Sequence, residues 1–263
     1  MALALEAPGR APLSAAGTVV VGLGASAWVA TLVWAADMGM GAEPGTMGLG
    51  VPAFVAMWAL MMAAMMLPAI SPLVSLYART VVDHRPARLG GFGLGYVLAW
   101  SVTGFVAYAL ASLFDLLADE RPGVAKAVAV GSFAVCGIYQ LTPMKRWCLR
   151  HCRSPIGHLL HYASYHGPTR DVRAGLHHGL VCIGCCWTLM VALVAVGVMN
   201  VPVMVGLALL IALEKWWRFG ELLAKVAGAA AIVFAVVLLF DASLAPGLDA
   251  GHQMDMNEQM DMP

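Results

Sequence analysis

Charge is what this sequence has least of. Only 11% of its 263 residues are Asp, Glu, Lys or Arg, while 61% are hydrophobic. A soluble domain carries about 25% charged residues and about 45–50% apolar ones. That shortage excludes an ordinary soluble enzyme, a disordered chain and a nucleic-acid binder, each of which needs a polar or basic surface. Catalytic signatures are missing as well. There is no nucleotide-binding glycine motif, no Ser-His-Asp arrangement and no His-Glu-x-x-His run. Nothing argues for an enzyme, so metal binding or delivery is the favoured class. The alternation that builds β-barrels is absent too. A chain of this size has one core in which to hide apolar side chains, so the surplus must face lipid.

What is present is a series of long apolar runs. About 20 apolar residues span a bilayer as a helix. Seven segments qualify: 17–36, 52–77, 91–116, 124–143, 175–198, 201–217 and 222–240. The expected fold is therefore all-α, a polytopic membrane bundle of about seven transmembrane helices forming one domain over residues 1–263. The first segment reads as an anchor, because its apolar stretch runs to about 20 residues against the 7–15 of a cleaved leader. The sixth is short and follows the fifth through Met199 and Asn200, which implies a tight hairpin. Gly91-x-x-x-Gly95 and Gly175-x-x-x-Gly179 offer small-residue faces for close helix packing.

Net charge is zero, with 15 basic and 15 acidic residues. Its distribution is not neutral. With the N-terminus in the cytoplasm and strict alternation, every Lys and Arg except Arg121 and Lys126 falls inside, which matches the positive-inside rule. The C-terminus then lies outside. The longest connection, 144–172, becomes a basic, His- and Cys-containing cytoplasmic loop, and 242–263 becomes a Met-rich extracytoplasmic tail.

The second surplus is soft sulfur: 17 Met and 6 Cys. The fifth span carries His177, His178, Cys182, Cys185 and Cys186. At 100° per residue, His178, Cys182, Cys185 and Cys186 share an arc of about 100°. Cys182 lies nine residues beyond Arg173, or about 13 Å along the helix, which puts the group near the middle of a bilayer about 30 Å thick. Three thiols within five residues exceed what packing alone explains. Thiolates select Cu(I) and zinc, so Cu(I) is the first candidate ion and zinc the second. In the loop, Cys148 and Cys152 stand at i and i+4 with His151 between them. The surrounding Lys145, Arg146, Arg150 and Arg153 are expected to lower the thiol pKa values. Cys136 stands alone and reads as packing. Glu214 and Lys215 read as residues snorkelling at the end of the sixth span.

Thioethers add a second ligand class. Met57, Met61 and Met65 form one stripe on the second span, beside Met62 and Met66. Such a stripe serves equally as core filler or as a weak track for a soft cation. Met38, Met40 and Met47 follow the first span, and the tail holds Met254, Met256, Met260 and Met262 beside His252. Thioethers suit an oxidising compartment because they form no disulfides. Sulfur is thus divided by side, thioether outside and thiol inside.

Three sets of residues together resemble a known family. They are Tyr139-Gln140 through Pro143-Met144-Lys145 to Cys148-x-x-x-Cys152-Arg153-Ser154-Pro155; Gly175-x-x-x-Gly179-x-x-Cys182-x-Gly184-Cys185-Cys186-Trp187; and Gly197-x-Met199-Asn200 with Glu214-Lys215. Met61–Pro68 belongs with them. The pattern is similar to a bacterial family of predicted metal-binding integral membrane proteins of undefined function. That resemblance implies a bacterial plasma membrane and metal binding at Cys148, Cys152, Cys182, Cys185 and Cys186. The expectation is a membrane protein that binds and moves or delivers Cu(I), with the bilayer, the ion and a copper enzyme or chaperone as partners. A membrane thiol–disulfide oxidoreductase and an accessory subunit of a copper enzyme are the alternatives. A phosphatase reporter fused after residue 263 should be active in cells, because that enzyme folds only outside the cytoplasm; an inactive fusion inverts the orientation.

Overall fold

The computed structural model describes residues 14–37 and 45–240, and all of its regular structure is helical. Nine helices are described: α1 (Ala15–Asp37), α2 (Val51–Thr80), α3 (Arg85–Glu120), α4 (Pro122–Leu141), α5 (Pro143–Cys152), α6 (Pro155–Ala163), α7 (Arg170–Val196), α8 (Val201–Trp216) and α9 (Gly220–Phe240). Proline starts many of them. Pro122, Pro143 and Pro155 occupy first positions, where a missing N–H costs nothing. Gly197, at φ +110°, stops α7. The Asn200 side chain then accepts from the Val203 N–H to cap α8, completing the expected hairpin.

Among the described residues, six helices are long and apolar enough to cross a membrane: α1, α2, α3, α4, α7 and α9. The expected count of seven is therefore not reached on length. The sixth segment is the 16-residue α8, which at 1.5 Å per residue extends only about 24 Å.

The helices pack as a sheath around α2 and α7, the two most buried. α3 lies on both, α1 covers α2, and α4 and α9 form a pair beside α7. Small residues set the closest approach. A Cβ on Gly175 would fall 1.9 Å from the Phe92 carbonyl oxygen, and one on Gly95 would fall 2.0 Å from that of Val172. Both glycine faces singled out in the sequence thus meet each other, on α3 and α7. Gly137 and Gly228 make the equivalent contact between α4 and α9. Within α2, Pro72 cannot supply the N–H that the Pro68 carbonyl would receive in an unbroken helix. The Ser71 hydroxyl donates to that carbonyl instead, at 2.8 Å.

Unequal helix lengths give the bundle a step. The α8 end lies beside the middle of α2, where the Trp216 indole donates to the Ala69 carbonyl. α2 runs eleven residues further, about 16 Å. α4 likewise ends level with the middle of α7, and the Tyr139 hydroxyl donates to the Gly184 carbonyl. At the far ends of the long helices, Tyr77 and Arg88 both bond Asp171. α5 and α6 fill the space under the step. α5 packs on α7, and Tyr162 of α6 meets Tyr77 and Phe92 edge-on. Replacing Gly175 by Leu should cost about 1–3 kcal/mol or more, because neither backbone can retreat. Thermal unfolding in detergent would show this as a lowered midpoint. An unshifted midpoint would mean that the α3–α7 contact is looser than described.

Candidate metal centre

The step is where the thiols collect. Cys182, Cys185 and Cys186 are fully buried on α7, and their sulfurs all lie within 4.8 Å of one another. No other group of three or more His, Cys, Asp or Glu ligand atoms is as close among the described residues. The spacing explains the cluster, since residues three and four apart share a helix face. Cys152, at the end of α5, brings a fourth sulfur to 3.7 Å from that of Cys185. All six cysteines are free thiols.

Two lysines surround this sulfur. Lys215 of α8 donates from Nζ to the Cys182 Sγ at 2.9 Å. Lys145 of α5 has no exposed surface. It donates to the Cys185 carbonyl at 2.6 Å and to the Glu214 carboxylate at 2.7 Å. Gln140 donates to the other Glu214 oxygen at 3.2 Å. Burial works against the charge on Lys145, but Glu214 together with the Cys185 and Cys186 sulfurs holds the ammonium above its ordinary pKa. Glu214 and Lys215 therefore do not snorkel at an interface as expected. Both turn inward from the last turn of α8, because the step opens beside them. Sequence periodicity missed these two and Lys145; the one available signal was an acid and a base closing an otherwise apolar segment.

The other candidate ligands are placed variously. His178 is buried, but it stands outside the three-thiol group. Its ring stacks on Tyr96 at 6.0 Å, and the Tyr96 hydroxyl lies 3.1 Å from the Cys182 sulfur. Cys148 is separated from Cys152 and faces Gly184, where a Cβ would fall 3.3 Å from its sulfur. Burial pushes its thiol pKa up, contrary to the lowering expected from the basic neighbours; the Cys185 sulfur adds to the rise and Lys145 opposes it only in part. His151 is exposed on α5, with Nδ1 2.9 Å from the Trp147 carbonyl. Met57, Met61 and Met65 are at most 1% exposed, as are Met62 and Met66, and all five share one core with the thiols. Cys136 is buried in that core too. Met254, Met256, Met260 and Met262 lie outside the described residues, as do Met38 and Met40.

The donor set suits a soft ion. Thiolates favour Cu(I) and zinc, and each bound thiol gives up a proton. Four sulfurs beside two ammonium groups can take up a cation without leaving the resulting negative charge uncompensated in an apolar core. The Lys145–Glu214 pair keeps α5 in place against α7 and α8. Breaking a buried pair from one side costs about 3–5 kcal/mol, whereas replacing both partners by apolar groups is often neutral. Lys145→Met should therefore lower the unfolding midpoint sharply, and Lys145→Met with Glu214→Leu should recover most of the loss. Equal stability of the single variant and the parent would contradict this.

Comparison with known proteins agrees with the donor set. No curated protein and no solved structure gives a match. Residues 55–238 match a family model described as PpoB2, copper chaperone. This stretch is more than half of the chain and includes the thiol group, both lysines and the whole step. The chain belongs to the PpoB2 copper chaperone family, and its role is copper-related.

Proposed function

We propose that the protein holds Cu(I) on the thiols of Cys182, Cys185 and Cys186, assisted by Cys152, and delivers it to a partner protein from within a membrane. The convergence of four sulfurs from two separate helices carries this reading. α7 supplies three ligands on a rigid face. α5 supplies the fourth from its last residue, Cys152, seven residues beyond the Lys145 that anchors the helix. Delivery needs such a ligand, because an ion fully enclosed by one element has no way out. Lys215 offsets thiolate charge directly, whereas the Lys145 ammonium is already paired with Glu214. Cu(I) bound by two thiols loads as one cation in and two protons out, which leaves one negative charge beside the Lys215 ammonium.

Position supports the same reading. Thioethers on α2 and beyond α1 are uncharged, weak ligands that release an ion readily. Affinity rises from thioether to thiolate, so a soft cation would move towards the step. Orientation in the membrane rests on the charge distribution, which places α5 and α6 on the cytoplasmic side. A copper enzyme is the partner class that best fits a chaperone with this ligand set. Methionines in the 242–263 tail would serve as capture ligands, since thioethers form no disulfides in an oxidising compartment.

One observation favours a second reading. The Cys152–Cys185 sulfur separation of 3.7 Å is short enough for a small shift to close a disulfide. A membrane thiol–disulfide oxidoreductase would pass electrons through that pair to a quinone. Metal analysis separates the two. Purified in detergent under reducing conditions, the wild-type chain should retain about one copper, as expected of a soft-thiolate site. A Cys182→Ser, Cys185→Ser, Cys186→Ser variant should retain little. Equal, sub-stoichiometric metal in both, with reversible oxidation of Cys152 and Cys185, would favour the oxidoreductase.

A further inference from the structure

A second group of ligands lies under the step and takes no part in the thiol cluster. Between α5, α6 and α7 is a cavity of about 560 Å³ lined by Trp147, Arg150, His151, His158, His161 and His177 among others. His151 and His161 are exposed at its edge, whereas His158 is buried. The rings form a series running inwards. His161 and His177 have centroids 4.9 Å apart, His177 and His158 6.1 Å, and His158 and His178 4.9 Å. His178 stacks on Tyr96, whose hydroxyl touches the Cys182 sulfur. Imidazoles thus line the whole way from the cavity to the buried thiols.

Tyrosine hydroxyls bond His158 at Nδ1 and His161 at Nε2, and other ring nitrogens along this series are free. The His158 Nε2 lies 2.7 Å from the His151 carbonyl, to which it can only donate, so Nδ1 carries the lone pair and accepts from the Tyr162 hydroxyl at 3.3 Å. His151 is fixed in the same way by the Trp147 carbonyl, which frees its Nε2. A ring N–H held by a backbone carbonyl is the usual support of a metal-ligating histidine. The Nδ1 atoms of His177 and His178 are buried and have no hydrogen-bond partner. Buried polar atoms are nearly always paired, so two such atoms on adjacent residues call for an absent partner. A cation supplies one. Aromatic packing alone would not place four imidazoles in line with the His177 and His178 nitrogens left bare.

We propose that this cavity is a second copper site, with His161 and His177 at its mouth and His158 at its floor, and with His178 behind His158 on the way to the thiols, through which Cu(I) exchanges with them. The exchange with the thiols rests on the copper role given to them above; the imidazole site itself does not. In the exchange two Cu–N bonds break, two Cu–S bonds form and copper stays Cu(I). The displaced thiol protons pass to the vacated imidazole nitrogens and then to water in the cavity. Neutral imidazole binds copper more weakly than thiolate, so the site holds the ion only in passing.

Two measurements test this on the full chain in detergent. The first uses a Cys152→Ser, Cys182→Ser, Cys185→Ser, Cys186→Ser variant titrated with Cu(II) and read by electron paramagnetic resonance. Nitrogen superhyperfine structure is expected. It should vanish on adding His161→Ala and His177→Ala, and persist on adding His84→Ala instead. The second keeps all thiols and follows Cu(I) loading by stopped-flow absorbance. His161→Ala with His177→Ala should reach the wild-type copper content more slowly. A nitrogen signal that survives the double alanine change removes the site. An unchanged loading rate removes its connection to the thiols. If the thiols bind no copper at all, the resonance measurement still reads the imidazole site, so the two readings fail separately.

Discussion

One buried ammonium holds the centre together. Lys145 reaches from α5 to the Cys185 carbonyl on α7 and the Glu214 carboxylate on α8. Each of these bonds lies in an apolar surround, where an unpaired partner would be costly. The lysine is therefore committed to its place, and the short α5 with it. Because α5 is fixed, Cys152 stands beside Cys185 and the cavity under the step keeps its walls. Cys148, Leu149 and Cys152 follow Lys145 on one helical face, which is the buried face of α5. Without the lysine that face would still be apolar, but nothing would set its register against α7.

Sulfur and imidazole are graded along one direction. Exposed histidines lie at the loop end, buried histidines come next, and the fully enclosed thiols come last. Hardness and hydration fall together along this line, as does the ease with which a ligand gives up a metal. Thioethers occupy the same core from the α2 side. A soft ion in the thiol group would therefore have weaker ligands on two sides. Such an arrangement suits transfer better than permanent storage.

The helix inventory was legible in the sequence because hydropathy and proline placement fix it locally. Six of the expected segments return as membrane-length helices, and the seventh returns as a short one. The glycine faces were legible for the same reason. Gly91, Gly95, Gly175 and Gly179 repeat at four residues, and that repeat has only one structural use in an apolar helix. Gly137 and Gly228 repeat with nothing and were invisible. So was the lysine network, whose members are 69 residues apart. Helical periodicity relates residues three and four apart and is silent about such pairs. Cys148 and Cys152 looked like one pair on that criterion. They part because they meet successive residues of α7, Gly184 and Cys185, which face directions about 100° apart.

The step also changes where an ion would sit electrostatically. Judged by α7 alone, the thiols lie deep in hydrocarbon. Judged by α4 and α8, which both end beside them, they lie at the rim. Membrane thickness adapts to short helices by local thinning, so headgroups and water would reach further towards the centre on the α4–α8 side. Charge transfer into the middle of a bilayer carries a steep solvation penalty. A cation handed over at this rim would avoid most of it, because the polar medium would come to meet the site.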